Sequence, residues 1–225
     1  MTLVKKTIIL SLIAQVLITL IGVTALMYEL KPQDQILYSI LGLETVVQFI
    51  EALFYVWFAF FFTTNMTRTD IAKFRYYDWV FTTPMMLLST AVFFVYNAMK
   101  ERGELLLSIR QFFSQYGVDY AIIAFYNLLT LLFGYLHEIG LLSLITSNTI
   151  GFIFFFASFY KLYELAVLSP SNMNIFWIMF GIWSLYGVAA MFPNITKNTM
   201  YNILDIFSKN FYGLYLSYVV WSLAI

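Results

Sequence analysis

The stretch Tyr201-Asn-Ile-Leu-Asp-Ile-Phe-Ser-Lys-Asn-Phe-Tyr212 decides how this chain folds, because it places a lysine inside a long apolar segment. The segment runs from about residue 198 to residue 222, and Lys209 lies near its middle. A lysine ammonium at the centre of a bilayer costs about 2.5–3.5 kcal/mol, and from position 209 the side chain does not reach either headgroup layer. Asp205 lies four residues earlier on the same helical face, so it is the first candidate partner.

Two interpretations of Lys209 follow from these residues. In one, Lys209 and Asp205 form a structural ion pair that holds the helices together. In the other, Lys209 is a reactive amine that condenses with an aldehyde to form a Schiff base. The stretch by itself leaves both interpretations open.

The composition of the 225 residues is that of an integral membrane protein. Hydrophobic residues make up 62% and charged residues 11% of the chain, whereas soluble domains are about 45–50% apolar. A net charge of zero provides no basic surface for nucleic acid, and the lack of cysteine together with a single histidine excludes the usual zinc sites. We therefore expect a protein of the lipid bilayer that is not an enzyme and has no catalytic residues, no metal and no nucleic-acid partner.

Hydrophobic runs of transmembrane length indicate an all-α bundle of seven transmembrane helices. The runs cover residues 5–28, 34–62, 74–98, 118–136, 141–166, 173–192 and 198–224. Short polar connections separate them, at residues 31–34, 63–69 and 169–172. No linker divides the chain, so residues 1–225 are predicted to form a single domain.

Residues 101–115 are too short and too charged to span a bilayer. Apolar side chains nevertheless recur there at helical spacing, at Leu105, Leu106, Ile109, Phe112 and Phe113. This pattern predicts a short interfacial helix between helices 3 and 4. The alternative is that helix 3 simply frays into a loop.

The third hydrophobic run carries a second group of polar residues. Arg75, Asp78 and Thr82 share one helical face, so a guanidinium and a hydroxyl are both expected within reach of one carboxylate. A buried carboxylate on this helix is favoured if it faces a cation on another helix. Two cations, Arg75 and Lys209, then balance two carboxylates, Asp78 and Asp205.

These motifs resemble those of the type I microbial rhodopsins. The segment Leu204-Asp-Ile-Phe-Ser-Lys209 is similar to their retinal-binding helix, and Arg75-Tyr-Tyr-Asp-Trp-Val-Phe-Thr-Thr-Pro84 is similar to their helix-3 signature. The resemblance implies that Lys209 carries all-trans retinal as a Schiff base with Asp78 and Asp205 as counterions. It also implies an N-terminus outside the cell, a cytoplasmic C-terminus and a retinal site that includes Trp79, Thr82, Thr83, Trp183 and Tyr186.

The chain departs from the outward proton pumps of that family at three positions. Ser89 stands where those pumps carry a carboxylate that returns a proton to the Schiff base, and a serine does not donate a proton at neutral pH. Gly187 and Ala190 replace bulkier residues, so one wall of the retinal pocket is expected to be loose. A pump with these changes is expected to cycle slowly.

Polar residues form stripes on three helices that are neighbours in the rhodopsin fold. The stripes consist of Ser11, Gln15 and Thr19 on helix 1, Glu44, Gln48, Glu51 and Tyr55 on helix 2, and Asn198, Asn202 and Asp205 on helix 7. They indicate either an ion path beside the Schiff base or hydrogen bonds between helices. We expect Glu51 to lie deepest in the path, away from the chromophore, and Glu44 to lie nearer the cytoplasmic end.

Four features together resemble group I viral rhodopsins of large algal viruses: the short chain, the helix-2 glutamates, the triplet of Asp78, Thr82 and Ser89, and the predicted interfacial helix between helices 3 and 4. That resemblance implies a light-gated cation channel, in which photoisomerisation of retinal opens a path between helices 1, 2 and 7 that includes Arg75. The alternatives are a light-driven outward proton pump and a photosensor that signals through a membrane partner. The sequence leaves the choice between cations and protons, and the oligomeric state, open.

Overall fold

The computed structural model describes residues 3–61, 71–105 and 108–225, and over these ranges the chain is almost entirely helical. Within these ranges eight α-helices follow one another: α1 Leu3–Ala25, α2 Ile36–Phe61, α3 Ala72–Glu101, α4 Ile109–Glu138, α5 Leu144–Ala166, α6 Met173–Ala190, α7 Asn194–Asp205 and α8 Phe211–Leu223. The connection predicted at residues 63–69 lies outside the described residues.

Seven spans result, because α7 and α8 are two parts of one transmembrane helix. A π-helical turn, Ile206–Asn210, joins them and contains Lys209. In the described part of the chain, α1 to α6 are each long and apolar enough to cross a membrane, whereas α7 has only 12 residues and α8 only 13. The predicted seven-helix bundle is confirmed, but the sequence did not indicate the π-helical turn.

The helices form a closed bundle in which α3 is the most buried span. Consecutive helices pack side by side, and α1 and α2 also contact the seventh span, which closes the bundle. Of the apolar segment of α3, 72% is buried, against 11% of that of α4. Because α3 lies in the interior, its polar residues face other helices, whereas α4 is largely exposed on the outside of the bundle.

The prediction of a short interfacial helix at residues 101–115 is wrong for the part of this segment that the structure describes. Gly103 has a φ of 71°, a left-handed conformation that follows the end of α3 at Glu101. The Ser108 hydroxyl accepts a hydrogen bond from the backbone N–H of Gln111 and caps α4. Residues 109–115 therefore extend α4, which begins at 109 and not at 118; Leu106 lies outside the described residues.

Ion pairs mark the two ends of the bundle. At the end that we call the Asp34 end, Asp34 accepts hydrogen bonds from the Tyr96 hydroxyl (2.5 Å) and from Lys100 Nζ (2.7 Å). At the opposite end, the Glu138 end, Lys197 Nζ lies 2.8 and 2.9 Å from the two carboxylate oxygens of Glu138. The position of a buried group along the bundle can therefore be given as nearer the Asp34 end or nearer the Glu138 end.

Asn172 holds the connection between α5 and α6 against α3. Its amide N–H donates to the backbone oxygen of Phe94 (3.0 Å), and its side-chain oxygen accepts from Asn97 Nδ2 (2.9 Å). Asn172 is fully buried. Hydrogen bonds at this position therefore replace contacts with water that a buried amide has lost.

Replacing Asn172 with alanine is expected to lower the free energy of unfolding by about 1–3 kcal/mol, because the Phe94 carbonyl and the Asn97 amide lose a partner. Thermal unfolding in detergent measures this loss. Asn194→Ala is the matched control, since Asn194 is exposed and contributes only its backbone oxygen to Asn198. Equal melting temperatures for the two variants would contradict the role given to Asn172.

Candidate functional site

Lys209 lies in the interior of the bundle against three carboxylates from three helices. Its Nζ is 2.9 Å from Glu51 Oε1 on α2, 2.9 Å from Asp78 Oδ2 on α3 and 3.9 Å from Asp205 Oδ1 on α7. The lysine side chain is only 2% exposed. Asp205, which shares a helical face with Lys209, is thus the most distant of the three partners.

Glu51 is a direct partner of Lys209, so its expected position away from the chromophore is wrong. Its second oxygen, Oε2, accepts a hydrogen bond of 2.6 Å from Gln15 Nε2 on α1. The spacing of the helix-2 stripe predicted which face Glu51 occupies. It did not predict the height of that face relative to Lys209, because that height depends on how α2 packs against the seventh span.

Asp205 is held by a network on the side of Lys209 that faces the Glu138 end. Arg75 Nη1 lies 3.2 Å from Asp205 Oδ2, and the hydroxyls of Tyr55 and Tyr186 donate to Oδ2 (2.6 Å) and Oδ1 (2.7 Å). Arg75 also donates to the side-chain oxygen of Asn202. The sequence placed Arg75 with Asp78, but its ion pair is with Asp205.

Asp78 has fewer partners than Asp205. Its Oδ2 accepts from Lys209, while its buried Oδ1 has no hydrogen-bond partner among the described residues. The Thr82 hydroxyl donates to the backbone oxygen of Asp78 (3.1 Å) and not to the carboxylate, as hydroxyls inside helices often do. The expected hydrogen bond between Thr82 and the Asp78 carboxylate is therefore wrong.

The buried charges at this site do not cancel. Glu51, Asp78 and Asp205 supply three carboxylates, whereas Lys209 and Arg75 supply two cations. The sequence predicted two of each because it placed Glu51 elsewhere. An unpaired charge in the membrane interior is costly, so the cluster favours binding one further proton or cation.

The π-helical turn leaves backbone groups beside Lys209 without their usual hydrogen bonds within the helix. A π turn interrupts the regular hydrogen bonds of an α-helix and leaves backbone groups in need of other partners. Gln48 on α2 supplies one, since its Nε2 donates to the backbone oxygen of Lys209 (2.8 Å). Gln48 thereby fixes the height of α2 relative to the lysine.

A cavity opens beside Lys209 and extends between α3, α4, α5 and α6. It holds about 930 Å³ of space outside protein atoms, a volume that includes the open solvent at its mouth. The rings of Trp79 and Tyr186 meet edge to face at 5.4 Å. The residues that line it include Trp79, Thr83, Met86, Asn127, Trp183, Tyr186, Tyr201 and Lys209.

The wall of this cavity at Gly187 is closed by a neighbouring ring. A Cβ atom on Gly187 would lie 2.5 Å from Cζ of Phe152, so only glycine lets the Phe152 ring approach so closely. The expectation that Gly187 loosens the wall is therefore wrong at this position. Asn127, on α4, donates a hydrogen bond to Thr83 Oγ1 (2.7 Å) and holds the opposite wall.

Ser89 is not isolated from carboxyl groups. Its hydroxyl is hydrogen-bonded to Glu44 Oε1 across the interface between α2 and α3, and it lies 2.8 Å from the backbone oxygen of Met86. Both Ser89 and Glu44 are fully buried. A carboxyl group therefore stands beside position 89, but α2 supplies it.

The stripe residues of α1, α2 and the seventh span are buried except Thr19, which is partly exposed and donates to the backbone oxygen of Gln15 on its own helix. Several of the buried polar atoms have no hydrogen-bond partner among the described residues. Gln15, Gln48, Glu51 and Asn202 make hydrogen bonds between helices. Among the described residues, buried polar atoms without a hydrogen-bond partner include Ser11 Oγ, Gln15 Oε1, Glu44 Oε2, Gln48 Oε1 and both side-chain polar atoms of Asn210. Hydrogen bonds between helices thus satisfy only some of the buried polar atoms of the stripes.

A family model described as bacteriorhodopsin-like protein matches residues 6–223. Among solved structures, the viral rhodopsin OLPVRII is 28% identical with a TM-score of 0.84, covering 99% of this chain and 100% of its own. The light-driven proton pump of Coccomyxa subellipsoidea is 15% identical (TM-score 0.70, 96% of each chain), and the chloride pump halorhodopsin is 14% identical (TM-score 0.71, 98% and 96%). At such low identity these two show the fold alone. Among curated proteins no sequence matches.

The charge balance predicts that Lys209 and Asp78 are energetically coupled. Lys209→Met leaves three carboxylates without their central cation and should destabilise the protein, whereas adding Asp78→Asn should recover part of the loss. We expect a coupling free energy of about 0.5–3 kcal/mol from a double-mutant cycle of thermal unfolding. Additive effects of the two substitutions would show that the 2.9 Å contact contributes nothing.

Proposed function

This chain belongs to the bacteriorhodopsin-like protein family, and we propose that it is a retinal-binding photoreceptor that acts as a light-gated cation channel. The observation that carries the proposal is the position of Lys209. This buried lysine lines the aromatic cavity on one side and contacts the polar residues of α2 and α3 on the other. As a member of this family, the protein is not an enzyme. Its many apolar helices make it an integral, multi-pass membrane protein.

The residues around the cavity fit all-trans retinal. Lys209 supplies the amine, Trp79, Trp183 and Tyr186 supply the apolar walls, and Thr83 and Thr82 lie on the same stretch of α3. Retinal linked to Lys209 as a Schiff base supplies absorption of visible light and isomerisation. Asp78 and Glu51 hold the proton on the lysine nitrogen, while Arg75 and two tyrosines keep Asp205 in place.

The ion path that we propose runs along α1, α2 and the seventh span. Ser11, Gln15, Glu44 and Gln48 contribute polar atoms without protein partners, and such atoms replace part of the hydration shell of an ion. Asn202 and Arg75 lie toward the Glu138 end, and Ser89 with Glu44 toward the Asp34 end. Because carboxylates outnumber cations around Lys209, the path favours cations over anions.

We extend the proposal to the placement of the chain in the membrane. The N-terminus and the Glu138 end face outward, and the Asp34 end and the C-terminus face the cytoplasm, as the resemblance to microbial rhodopsins implies. Residues 1–225 form one retinal-binding domain. The partners are the bilayer and the transported cations or protons.

An outward proton pump is the second candidate function. Asp78 and Glu44 are carboxyl groups on opposite sides of Lys209 along the bundle, as proton transfer in one direction requires. A pump and a channel differ in how their current depends on voltage. A photosensor with a membrane partner would carry no current of its own.

Lys209→Ala is expected to fold and to form no visible pigment when all-trans retinal is added, because it lacks the amine that faces the cavity. Lys161→Met is the control, since Lys161 lies on α5 at the partly exposed surface and pairs with Glu164. Absorption spectra after reconstitution measure the difference. A coloured Lys209→Ala protein would remove retinal binding from the proposal.

Photocurrents recorded against voltage under two cation gradients test transport. A channel current reverses where the electrochemical gradient of the permeant cation vanishes, whereas a pump current keeps one sign over a wide range. Glu51→Gln should shift the reversal potential or suppress the current, and also shift the absorption because Glu51 contacts Lys209.

Ser11→Ala is the companion variant, because Ser11 is buried and its hydroxyl has no hydrogen-bond partner among the described residues. It should change the current and leave the absorption unaltered. A wild-type photocurrent that stays outward under both gradients would favour the pump. The absence of any photocurrent from a pigment that absorbs light would favour the photosensor.

A further inference from the structure

We infer that the cavity prefers a retinal whose ring carries a hydroxyl group, and that Asn148 on α5 recognises this hydroxyl. The inference rests on the proposed function, since it requires retinal at Lys209 and names the chemical form of that retinal. The observation behind it is a polar side chain that lines the cavity on the side away from the lysine and has no hydrogen-bond partner among the described residues.

The cavity has a lysine side and an opposite side. Lys209 belongs to the seventh span, which packs against α1, α2 and α6. Helix α5 packs against α3, α4 and α6, and its residue Asn148 lines the cavity. A chromophore joined to Lys209 and held in this cavity therefore turns its other end, the ring, toward α4 and α5.

The amide of Asn148 is directed across the cavity wall at α6. Its Oδ1 lies 3.4 Å from the position that a Cβ atom on Gly187 would occupy. The ring of Phe152, one turn later on the same face of α5, approaches the same position. Asn148 and Phe152 thus lie side by side between α5 and α6, and both line the cavity.

The helices satisfy the other polar side chains on this side of the cavity. The Thr130 hydroxyl donates to the Tyr126 carbonyl, and the Ser147 hydroxyl donates to the Phe133 carbonyl. The side chain of Asn148 makes no such bond with any residue that the structure describes. An amide removed from water needs partners for its donor and its acceptor. A polar group on the ligand supplies the partner that the helices do not.

His137 on α4 indicates which polar group fits. It also lines the cavity, and its Nδ1 lies 3.2 Å from the Leu142 carbonyl. Because a carbonyl only accepts, Nδ1 carries the hydrogen, and Nε2 of the neutral ring is an acceptor. A protein acceptor favours a ligand that donates, and a hydroxyl donates while it also accepts from the Asn148 amide. A keto group, which only accepts, would use Asn148 alone.

Binding of two alcohols tests the preference without a bond to Lys209. Retinol and its ring-hydroxylated counterpart lack the aldehyde, so they enter the cavity without reacting. Quenching of tryptophan fluorescence reports their binding, because Trp79 and Trp183 line the cavity. The ring-hydroxylated alcohol should bind about tenfold more tightly, which corresponds to one net hydrogen bond. Equal dissociation constants would overturn the inference, since water alone would then satisfy Asn148.

Asn148→Leu keeps the size of the side chain and removes its polar atoms, so it should abolish the tenfold preference. Thr149→Val is the matched control, because Thr149 is the next residue of α5, is exposed and lies outside the lining of the cavity. The control should keep the preference, which separates recognition by Asn148 from the unequal partition of the two alcohols into detergent. A preference that persists in Asn148→Leu would overturn the role of Asn148.

A competition experiment tests the pigment itself. An equal mixture of all-trans retinal and its ring-hydroxylated form is added in excess to the retinal-free protein, and the bound chromophore is then extracted and separated by chromatography. The hydroxylated form should be enriched about tenfold in wild type and in Thr149→Val, and not in Asn148→Leu. Equal amounts of the two chromophores in the wild-type pigment would contradict the inference.

The two proposals fail separately. Pigments that form equally well with the two aldehydes would reject the ring preference and keep retinal at Lys209. Enrichment of the hydroxylated form in a pigment whose photocurrent keeps one sign would keep the ring preference and reject the channel. Failure of both alcohols to bind and of both aldehydes to form a pigment would reject the proposed function and the inference together.

Discussion

Burying the ammonium of Lys209 is the constraint on which the rest of this structure depends. A cation in the membrane interior needs carboxylates within a few ångströms, and these come from α2, α3 and α7. These contacts fix the positions of the three helices relative to one another along the axis of the bundle. The Gln48 amide, bound to the lysine backbone, fixes the same height independently.

The two halves of the bundle around this lysine differ in how completely their polar groups are paired. Toward the Glu138 end, Asp205 accepts from Arg75, Tyr55 and Tyr186, a network that holds one geometry. Toward the Asp34 end, Gln48 and Asn210 have side-chain polar atoms without a hydrogen-bond partner among the described residues. Groups with open hydrogen-bonding capacity can exchange partners, so the proposed proton and ion movement would depend on this half, whereas the paired half holds the Asp205 carboxylate in one position.

The π-helical turn connects these charges with the cavity. It places Ser208 and Lys209 on the cavity lining while Asp205, one turn earlier, remains in the Arg75 network. Gly187 and Phe152 close the far wall of the same cavity. A movement of the lysine side chain within the cavity therefore changes its contacts with Asp78 and Glu51, which is the coupling that the proposed light-gated transport requires.

The sequence by itself determined the membrane class, the seven spans, the helical face shared by Asp205 and Lys209, and the aromatic residues beside them. These features depend on composition and on the 3.6-residue period, which are local properties of the chain. Only the tertiary structure decided that Glu51 contacts Lys209, that Arg75 pairs with Asp205, and that Glu44 stands beside Ser89. Each of these contacts joins two helices. Their relative height follows from the sum of all packing and hydrogen bonds at the interface, and no local pattern contains that sum.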